Sequence, residues 1–202
     1  MIKLYGSSMS RSARCLWALE ELGVKYEHSP VAFDGGTRTP EYLKINPNGH
    51  IPALDDNGVV LWESMAINLY LAEKYGKTPL WPATVEGRAA AYQWSFWGMC
   101  EVEPHLITLL MHRMFLPADQ RDPKAIDTAV EALKAPFKVI DQQLSNKEYL
   151  GGRDFTITDL NAASILGLSQ MVGVDLAPNP NLSKWLQKCM SREANERARN
   201  MK

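Results

Sequence analysis

The chain has 202 residues, of which 46% are hydrophobic and 22% charged, a composition typical of a folded globular protein of one or two domains. Its formal charge of −1 at pH 7 gives no field that would hold a nucleic acid, and its apolar stretches are far shorter than the roughly 18 residues of a membrane-spanning helix. We therefore expect neither a nucleic-acid-binding protein nor a membrane protein.

The cysteines and the first residues of the chain bear on its compartment. Cys15, Cys100 and Cys189 are widely separated, so they give neither a disulfide framework nor the spacing of metal ligands. Residues 1–6 read as a strand and a turn rather than as a basic segment followed by an apolar export signal. We therefore expect a reducing compartment and a cytoplasmic location.

The first part of the sequence predicts a strand, a helix and a second strand. Residues 2–5 alternate as in a half-buried strand, and apolar residues then recur at helical spacing from Ser10 up to Gly23, a glycine suited to ending a helix. Residues 24–31 predict the second strand. A loop begins at Asp34, because glycines and a proline follow it.

An antiparallel pair of strands and a helix are predicted next. Residues 51–54 and 59–62 predict two strands, and the turn 55–58 between them, Asp-Asp-Asn-Gly, is typical of a hairpin. Residues 64–75 carry apolar side chains on one helical face and predict the helix that completes the unit.

The sequence changes character after Gly76. Residues 77–83 contain two prolines and predict a linker, and no strand pattern returns beyond it. We expect an α/β domain over residues 1–76 and an all-helical domain over residues 84–202. Helices are predicted over residues 86–115, 123–144, 156–168 and 181–199, with bends at Pro104 and Pro136.

Three separated motifs lie in the predicted α/β domain. The first is the serine-rich segment 7–14, Ser-Ser-Met-Ser-Arg-Ser-Ala-Arg, directly after the first strand. The second is the segment 46–54, Asn-Pro-Asn-Gly-His-Ile-Pro-Ala-Leu, and the third is Glu63-Ser64 at the start of a helix. In this order, and followed by a helical half, they resemble the glutathione transferase family over essentially the whole chain. The resemblance implies a thioredoxin-like N-terminal domain, an all-helical C-terminal domain and glutathione as the co-substrate.

Glutathione must be activated before it can act as a nucleophile. The pKa of its thiol is about 8.5 in water, so only a few per cent is thiolate at neutral pH. A hydroxyl at the start of a helix offers the anion a hydrogen bond together with the positive end of the helix dipole. Ser10 occupies the position that resembles the catalytic serine of the theta-like and phi-like classes, and Ser8 is expected to contact glutathione beside it.

The serine run leaves other assignments open. It also resembles the serine-rich signature of the zeta class, in which the first serine of the run is the important one, and this would move the catalytic role to Ser7. The structural alternative for Ser10 is a helix N-cap, for which serine is well suited. The sequence alone leaves Ser7, Ser8 and Ser10 as candidates for contact with the thiol.

The second motif is expected to bind the cysteinyl and glycyl parts of glutathione. The resemblance implies a cis bond between Ile51 and Pro52, which presents the main-chain N–H and C=O of Ile51 to the cysteinyl part. His50 aligns with a position that reaches the glycyl end. Thr37 and Arg38 stand where the family places residues for the glycyl carboxylate.

Glu63 and Ser64 predict an anion site, because the unpaired N–H groups and the positive dipole of a helix lie at its start. The resemblance assigns this site to the γ-glutamyl carboxylate, held by Ser64, with Glu63 meeting the α-ammonium group. The alternative structural role of Ser64 is an N-cap. No metal is expected, because His105 and His112 have no third ligand at a suitable spacing.

The resemblance implies a homodimeric, cytoplasmic glutathione transferase that conjugates the thiolate to hydrophobic electrophiles in detoxification. The electrophile is expected to lie partly against the helix predicted over residues 86–115. One alternative is a zeta-like isomerase of a diacid such as maleylacetoacetate, against which Glu63 counts because that class has glutamine there. The other is a non-catalytic adaptor with a transferase-like fold, against which the intact motifs count.

Overall fold

The computed structural model describes residues 1–32, 35–77 and 79–201. The chain divides into two units, one formed by Met1–Trp81 with Ser191–Lys202 and the other by Pro82–Met190. Asp34 and Thr78, which the sequence analysis placed in a loop and in the linker, lie outside the described residues. Within the described ranges, no helix combines the length and the apolar character that crossing a membrane requires.

The first unit is built on a four-stranded sheet. Its strands lie in the order β2-β1-β3-β4, with β1 parallel to β2 and β3 antiparallel to both of its neighbours. A parallel pair needs a crossover, which the first helix supplies, whereas the antiparallel pair needs only the tight turn at Asn57 and Gly58. The strands are β1 (Ile2–Gly6), β2 (Tyr26–Pro30), β3 (Ala53–Asp56) and β4 (Val59–Trp62).

Helix α1 (Ser12–Leu22) connects β1 to β2 and buries one apolar face. Gly23 ends it in the left-handed conformation, and its N–H donates to the Leu19 carbonyl over 3.1 Å. Two further helices follow, the single turn α2 (Pro40–Leu43) and α3 (Ser64–Tyr75), which packs against α1. The fully buried residues shared by the sheet and these helices include Leu4, Leu16, Leu19, Leu54, Ile67 and Leu71.

The second unit is built from helices. They are α4 (Val85–Trp97), α5 (Glu103–Leu110), α6 (Pro123–Gln143), α7 (Ile157–Leu166), α8 (Leu168–Met171) and α9 (Pro180–Met190).

The long helix predicted over residues 86–115 is interrupted by two π-helical turns, Gly98–Val102 and Met111–Phe115. Pro104 at the start of α5 explains the first interruption, because proline lacks the N–H that a regular helix would donate to the carbonyl of residue 100. Pro136, in contrast, is buried inside α6, which runs through it without a break.

The last helix, α10 (Glu193–Arg199), belongs to the first unit, although the sequence analysis placed it in the helical domain. Arg192 Nε lies 2.6 Å from Glu21 Oε1, and Arg197 Nε lies 2.7 Å from Glu20 Oε2. Both glutamates stand near the carboxyl end of α1, where negative charge is unfavourable, so the two arginines neutralise an acidic helix end. The helix predicted over 181–199 is accordingly divided between α9 and α10.

Candidate functional site

The loop of residues 7–11, which joins β1 to α1, is called here the serine loop. Ser10 Oγ donates to the Ser7 carbonyl over 2.7 Å, and it accepts the Ser12 N–H over 3.1 Å. It also lies 2.9 Å from Ser12 Oγ. Ser7 Oγ accepts the N–H of Met9 over 3.2 Å. The Ser10 hydroxyl, our predicted catalytic group, is therefore held by neighbours on both sides at the start of α1.

The position of Ser12 depends on Gly6 at the end of β1. Ser12 is fully buried, and a Cβ atom added at Gly6 would lie only 1.9 Å from Ser12 Oγ. Gly6 also has a φ angle of 152°, which side-chain-bearing residues rarely adopt. Only glycine lets Ser12 approach β1 this closely. Sequence reasoning assigned no role to Ser12, since nothing in the serine run separates it from its neighbours.

Ser8 has a partner that the sequence analysis did not foresee. Its Oγ donates to the main-chain carbonyl of Met201 over 2.7 Å, whereas the sequence predicted a contact with glutathione. Tyr26 reinforces this end of the chain, because its hydroxyl donates to Glu20 over 2.8 Å and lies 3.0 Å from Met201 Sδ. The single hydroxyl proton of Ser8 is thus donated to the C-terminal segment.

The peptide bond between Ile51 and Pro52 is cis. Within the part of the chain that the structure describes, neither the N–H nor the C=O of Ile51 has a hydrogen-bond partner. The preceding residue is held firmly, because the His50 carbonyl accepts from Tyr42 Oη over 2.7 Å and from Asn46 Nδ2 over 2.6 Å. Ile51 therefore presents one unpaired donor and one unpaired acceptor on a fixed piece of backbone.

The side chains of Ile51 and Ser12 both lie near Gly6, at the end of β1. A Cβ atom added at Gly6 would lie 3.5 Å from the Cβ of Ile51, and on its other side it would meet Ser12. Since Ser12 is hydrogen-bonded to Ser10, the end of β1 at Gly6 has the side chain of Ile51 on one side and the Ser10–Ser12 pair on the other.

Glu63 and Ser64 lie at the start of α3, as predicted. Glu63 is exposed and has a φ angle of 73°, and Ser64 is the buried first residue of the helix. Arg14 Nη1 lies 3.5 Å from Ser64 Oγ. Arg14 is itself buried, and its carbonyl accepts from Asn68 Nδ2 over 3.3 Å. A buried positive charge therefore stands beside the helix start that the sequence identified as an anion site.

Arg38 is exposed in a short 3-10 turn, Gly36–Arg38. Its Nη1 donates to the Asn48 carbonyl over 3.3 Å, and a Cβ atom added at Gly49 would lie 2.6 Å from the same nitrogen. The guanidinium therefore covers the turn that leads into His50, whose side chain is also exposed. The structure brings these two predicted residues together at one turn.

The thiol of Cys15 on α1 is not available as a nucleophile. Cys15 is fully buried, and this burial raises the pKa of its thiol well above the usual range in spite of the opposing charge of Arg14. No group of three or more histidine, cysteine, aspartate or glutamate residues suited to a metal ion occurs in the described ranges. The chemistry that the arrangement can perform is to bind an anionic peptide and stabilise negative charge beside a hydroxyl.

Two protein-family models match the chain, "Glutathione S-transferase, N-terminal domain" over residues 1–73 and "Glutathione S-transferase, C-terminal domain" over residues 102–193. The chain is 33% identical over 198 residues to glutathione S-transferase GstB of Escherichia coli strain K12, covering 96% of this chain and 95% of that protein. It is 33% identical over 208 residues to glutathione S-transferase 3 of Zea mays, covering 96% and 90%.

A solved structure adds a likeness of fold over the whole chain. The theta class glutathione S-transferase from Xanthomonas axonopodis pv. citri, solved with glutathione bound, superposes with a TM-score of 0.91 at 30% identity, covering all of this chain and 98% of that one. The family models and the relatives cover both units of the chain. This protein belongs to the glutathione S-transferase family, and it is an enzyme of the glutathione transferase type.

Proposed function

We propose that the protein binds glutathione in its first unit and transfers the glutathione thiolate to a hydrophobic electrophile. The observation that carries this proposal is the Ser10 hydroxyl, held at the start of α1 beside Ser12, together with the unpaired backbone N–H and C=O of Ile51 in the same unit. Such an arrangement suits a peptide whose backbone is bound at one point and whose sulfur lies beside a hydroxyl.

The catalytic task is to make the thiolate available at neutral pH. Lowering a thiol pKa by about 2 units requires about 2.7 kcal/mol of preference for the anion. A hydrogen bond to a charged group contributes roughly 1.5 to 3 kcal/mol, and a helix start contributes ~0.3 to 1 kcal/mol, or up to ~2 kcal/mol when partly buried. A hydrogen bond from Ser10 at the start of α1 would combine the charged hydrogen bond with the helix dipole. Together the two contributions reach the free energy needed for this pKa shift.

The tripeptide would be held at both of its ends. Ile51 would pair with the cysteinyl backbone through its N–H and C=O, as an added strand does, after the cis bond to Pro52. The γ-glutamyl carboxylate would lie at the start of α3 near Ser64, where Arg14 adds positive charge, and Glu63 would meet the α-ammonium group. We leave Ser8 out of this set, because its hydroxyl proton is donated to Met201.

The glycyl end would lie near the turn covered by Arg38. This exposed guanidinium, and His50 beside it, are the groups that we propose for the glycyl carboxylate. Arginine suits this task, because its planar fork matches the geometry of a carboxylate.

The electrophile requires apolar surface, and the second unit exposes it. Phe96 on α4 is 67% exposed and Phe115 is 68% exposed, far more than is usual for a large aromatic residue. Tyr92, Met111 and Met114 are exposed in the same part of the chain. We propose that part of this surface binds the electrophile and that part of it is covered by a second copy in a cytoplasmic homodimer.

In the reaction, the sulfur of the bound thiolate would attack the electrophilic carbon and form a carbon–sulfur bond. The electron pair of the bond that breaks would leave with the departing group, or would remain on the acceptor in an addition. The chain's own residues bind and orient glutathione and stabilise the anion, and no covalent bond to the protein forms.

The experiment that tests this function combines binding and turnover. We expect the protein to bind glutathione with saturable heat in calorimetry, to be retained on immobilised glutathione and to convert a chromogenic aromatic electrophile. Activity with a diacid isomer alone would instead support the zeta-like isomerase, and failure of both binding and turnover would support the adaptor.

The role of Ser10 is tested with a single substitution. Ser10→Ala should leave the glutathione affinity within a few-fold and raise the pKa of the bound thiol, measured from the ultraviolet absorbance of the thiolate. Ser7→Ala serves as the comparison, because Ser7 was the other catalytic candidate in the sequence. A thiol pKa that rises in Ser7→Ala but not in Ser10→Ala would reassign the catalytic role to Ser7.

A further inference from the structure

We infer that Ser12 is a positioning residue that fixes Ser10 as a hydrogen-bond donor to the glutathione sulfur. The inference rests on the proposed function, since it concerns the same site. It goes beyond that function because Ser12 is fully buried and would act only through Ser10.

The direction of the hydrogen bond between the two hydroxyls follows from counting protons. Ser10 carries one hydroxyl proton, and the Ser7 carbonyl, 2.7 Å away, has no proton to give and must accept it. In the hydrogen bond between Ser10 Oγ and Ser12 Oγ, which are 2.9 Å apart, the donor must therefore be the Ser12 hydroxyl. Among the described residues Ser12 Oγ has no other hydrogen-bonding partner.

Ser10 Oγ consequently receives two hydrogen bonds, one from the Ser12 hydroxyl and one from the Ser12 N–H, 3.1 Å away. A hydroxyl oxygen has two acceptor positions, and both are filled. Ser10 is therefore unable to accept the proton of the glutathione thiol as a general base. What remains is its own proton, which it can donate to a sulfur anion, while the thiol proton leaves to water.

When the Ser10 hydroxyl rotates so that it donates to the sulfur, the Ser7 carbonyl loses one hydrogen bond but is not left without a donor. The Ser7 carbonyl also accepts the main-chain N–H of Ser10, over 3.0 Å, and keeps this bond when the hydroxyl turns away. The rotation therefore avoids the cost of an unsatisfied polar group. In the free protein, the Ser10 hydroxyl therefore donates to a carbonyl that stays hydrogen-bonded when the hydroxyl turns to the sulfur.

The geometry of the pair is held by packing. Ser12 is the first residue of α1, and its Oγ occupies the space where any other residue at Gly6 would place a Cβ atom. A hydroxyl fixed in this way loses little further rotational freedom when it polarises Ser10. Since hydrogen bonds in a chain strengthen one another, the Ser12 donor makes Ser10 a better donor to the thiolate.

The test is a double-mutant cycle on the pKa of the bound thiol, with Ser10→Ala, Ser12→Ala and the double variant. Ser12→Ala should raise this pKa by about half a unit to one unit, as expected for the loss of one hydrogen bond. In the Ser10→Ala background it should cause no further rise, because Ser12 acts through Ser10. The pH profile of kcat/KM should move in the same direction and by the same amount.

The matched control is Ser169→Ala in the second unit. Ser169 is also fully buried, and its Oγ donates to the Leu166 carbonyl over 2.6 Å. It should match Ser12→Ala in losing some stability towards urea, but it should leave the thiol pKa unchanged. The comparison separates the effect on the thiol from a general effect of removing a buried hydroxyl.

Each outcome decides the inference. A thiol pKa unchanged in Ser12→Ala, with glutathione still bound, overturns it while leaving the proposed function intact. An equal rise with and without Ser10 also overturns it, because Ser12 would then act by another route. Failure of the unmodified protein to bind glutathione in calorimetry overturns the proposed function and this inference together.

Discussion

The hydroxyl of Ser8 donates a hydrogen bond to the main-chain carbonyl of Met201 over 2.7 Å, joining the serine loop to the other end of the chain. Met201 follows α10, which is held to α1 by the ion pairs of Arg192 and Arg197. The C-terminal segment therefore supports the loop that carries Ser10 from the side of α1. This connection has consequences for stability that can be measured.

Ser8→Ala should lower the free energy of unfolding by about 1 kcal/mol, because it leaves the Met201 carbonyl without this donor. Urea denaturation measures the change. Ser145→Ala is the control, since Ser145 is exposed and its hydroxyl donates only to the nearby Gln142 carbonyl. Unchanged stability together with weakened glutathione binding would return Ser8 to the residues that bind glutathione, as the sequence first indicated.

Gly6→Ala should disturb the site by moving Ser12. The added Cβ atom would lie 1.9 Å from Ser12 Oγ, and the φ angle of 152° adds backbone strain. Overpacking of this kind costs typically about 1 to 3 kcal/mol. We expect lower stability and a raised thiol pKa in bound glutathione, resembling Ser12→Ala.

The control for this substitution is Gly152→Ala. Gly152 has a φ angle of 125°, and nothing lies within 4 Å of its added Cβ atom. It carries the backbone strain without the contact, so it should reduce stability less and leave the thiol pKa alone. Equal losses of stability in the two variants would contradict the importance of the contact between Gly6 and Ser12.

Glu63→Gln should weaken glutathione binding by up to about fivefold, since an exposed charge pair contributes up to about 1 kcal/mol. The thiol pKa should stay unchanged, because Glu63 is proposed to meet the α-ammonium group and not the sulfur. Glu73→Gln, an exposed residue of the same helix, is the matched control. Calorimetry gives the affinity, and a shift of the thiol pKa in Glu63→Gln would argue against the assignment.

Asp56 should make the first unit sensitive to acid. Burial alone would raise the pKa of this fully buried carboxyl, but hydrogen bonds, led by that from Lys74 over 2.6 Å, outweigh it and lower the pKa to about 2. Tyr75 and Tyr70 donate to the same group over 2.7 and 2.9 Å. The fold therefore favours the ionised form over the unfolded chain, where the pKa is about 3.9.

A lowered folded-state pKa contributes stability that is present above about pH 4 and is lost as the pH falls towards 2, by about 2.6 kcal/mol at most. Urea denaturation of the unmodified protein and of Asp56→Asn across this range measures it. The difference in unfolding free energy between the two should shrink as the pH falls. A constant difference down to pH 2 would show that ionisation of Asp56 is not its source.

Asp159 should be essential for the stability of the second unit. Its buried carboxylate accepts from Leu150 N over 2.7 Å, from Trp185 Nε1 over 3.0 Å and from the N–H and hydroxyl of Thr156. In Asp159→Asn an amide NH₂ replaces one acceptor oxygen and faces donors, so we expect a loss of roughly 2 to 4 kcal/mol. Thermal and urea unfolding measure it, with the exposed Asp154→Asn as control. A loss below that of the control would exclude a structural role for this carboxylate.

Much of the fold could be predicted from local patterns. The apolar periodicity of residues 64–75 coincides with α3, and Gly23 ends α1 as expected, because the burial of one face and the left-handed cap are local properties. The break in the helix predicted over 86–115 was signalled by Pro104, but its π-helical form was not. The last predicted helix is divided into α9 and α10, and the ion pairs of Arg192 and Arg197 with α1 join partners too distant in sequence to be read from residues 181–199.

In the candidate site, too, some features follow from local sequence patterns and others depend on tertiary contacts. The sequence alone determined which segments are candidates for the chemistry, because hydroxyl, proline and carboxylate side chains at separated motifs have recognisable roles. Only the tertiary structure decided how the serines differ, by directing Ser8 to Met201 and Ser12 to Ser10, and it placed Arg14 beside Ser64. Hydrogen bonds between residues distant in sequence, and the direction of side chains in a loop without periodicity, depend on packing and leave no pattern in the order of residues.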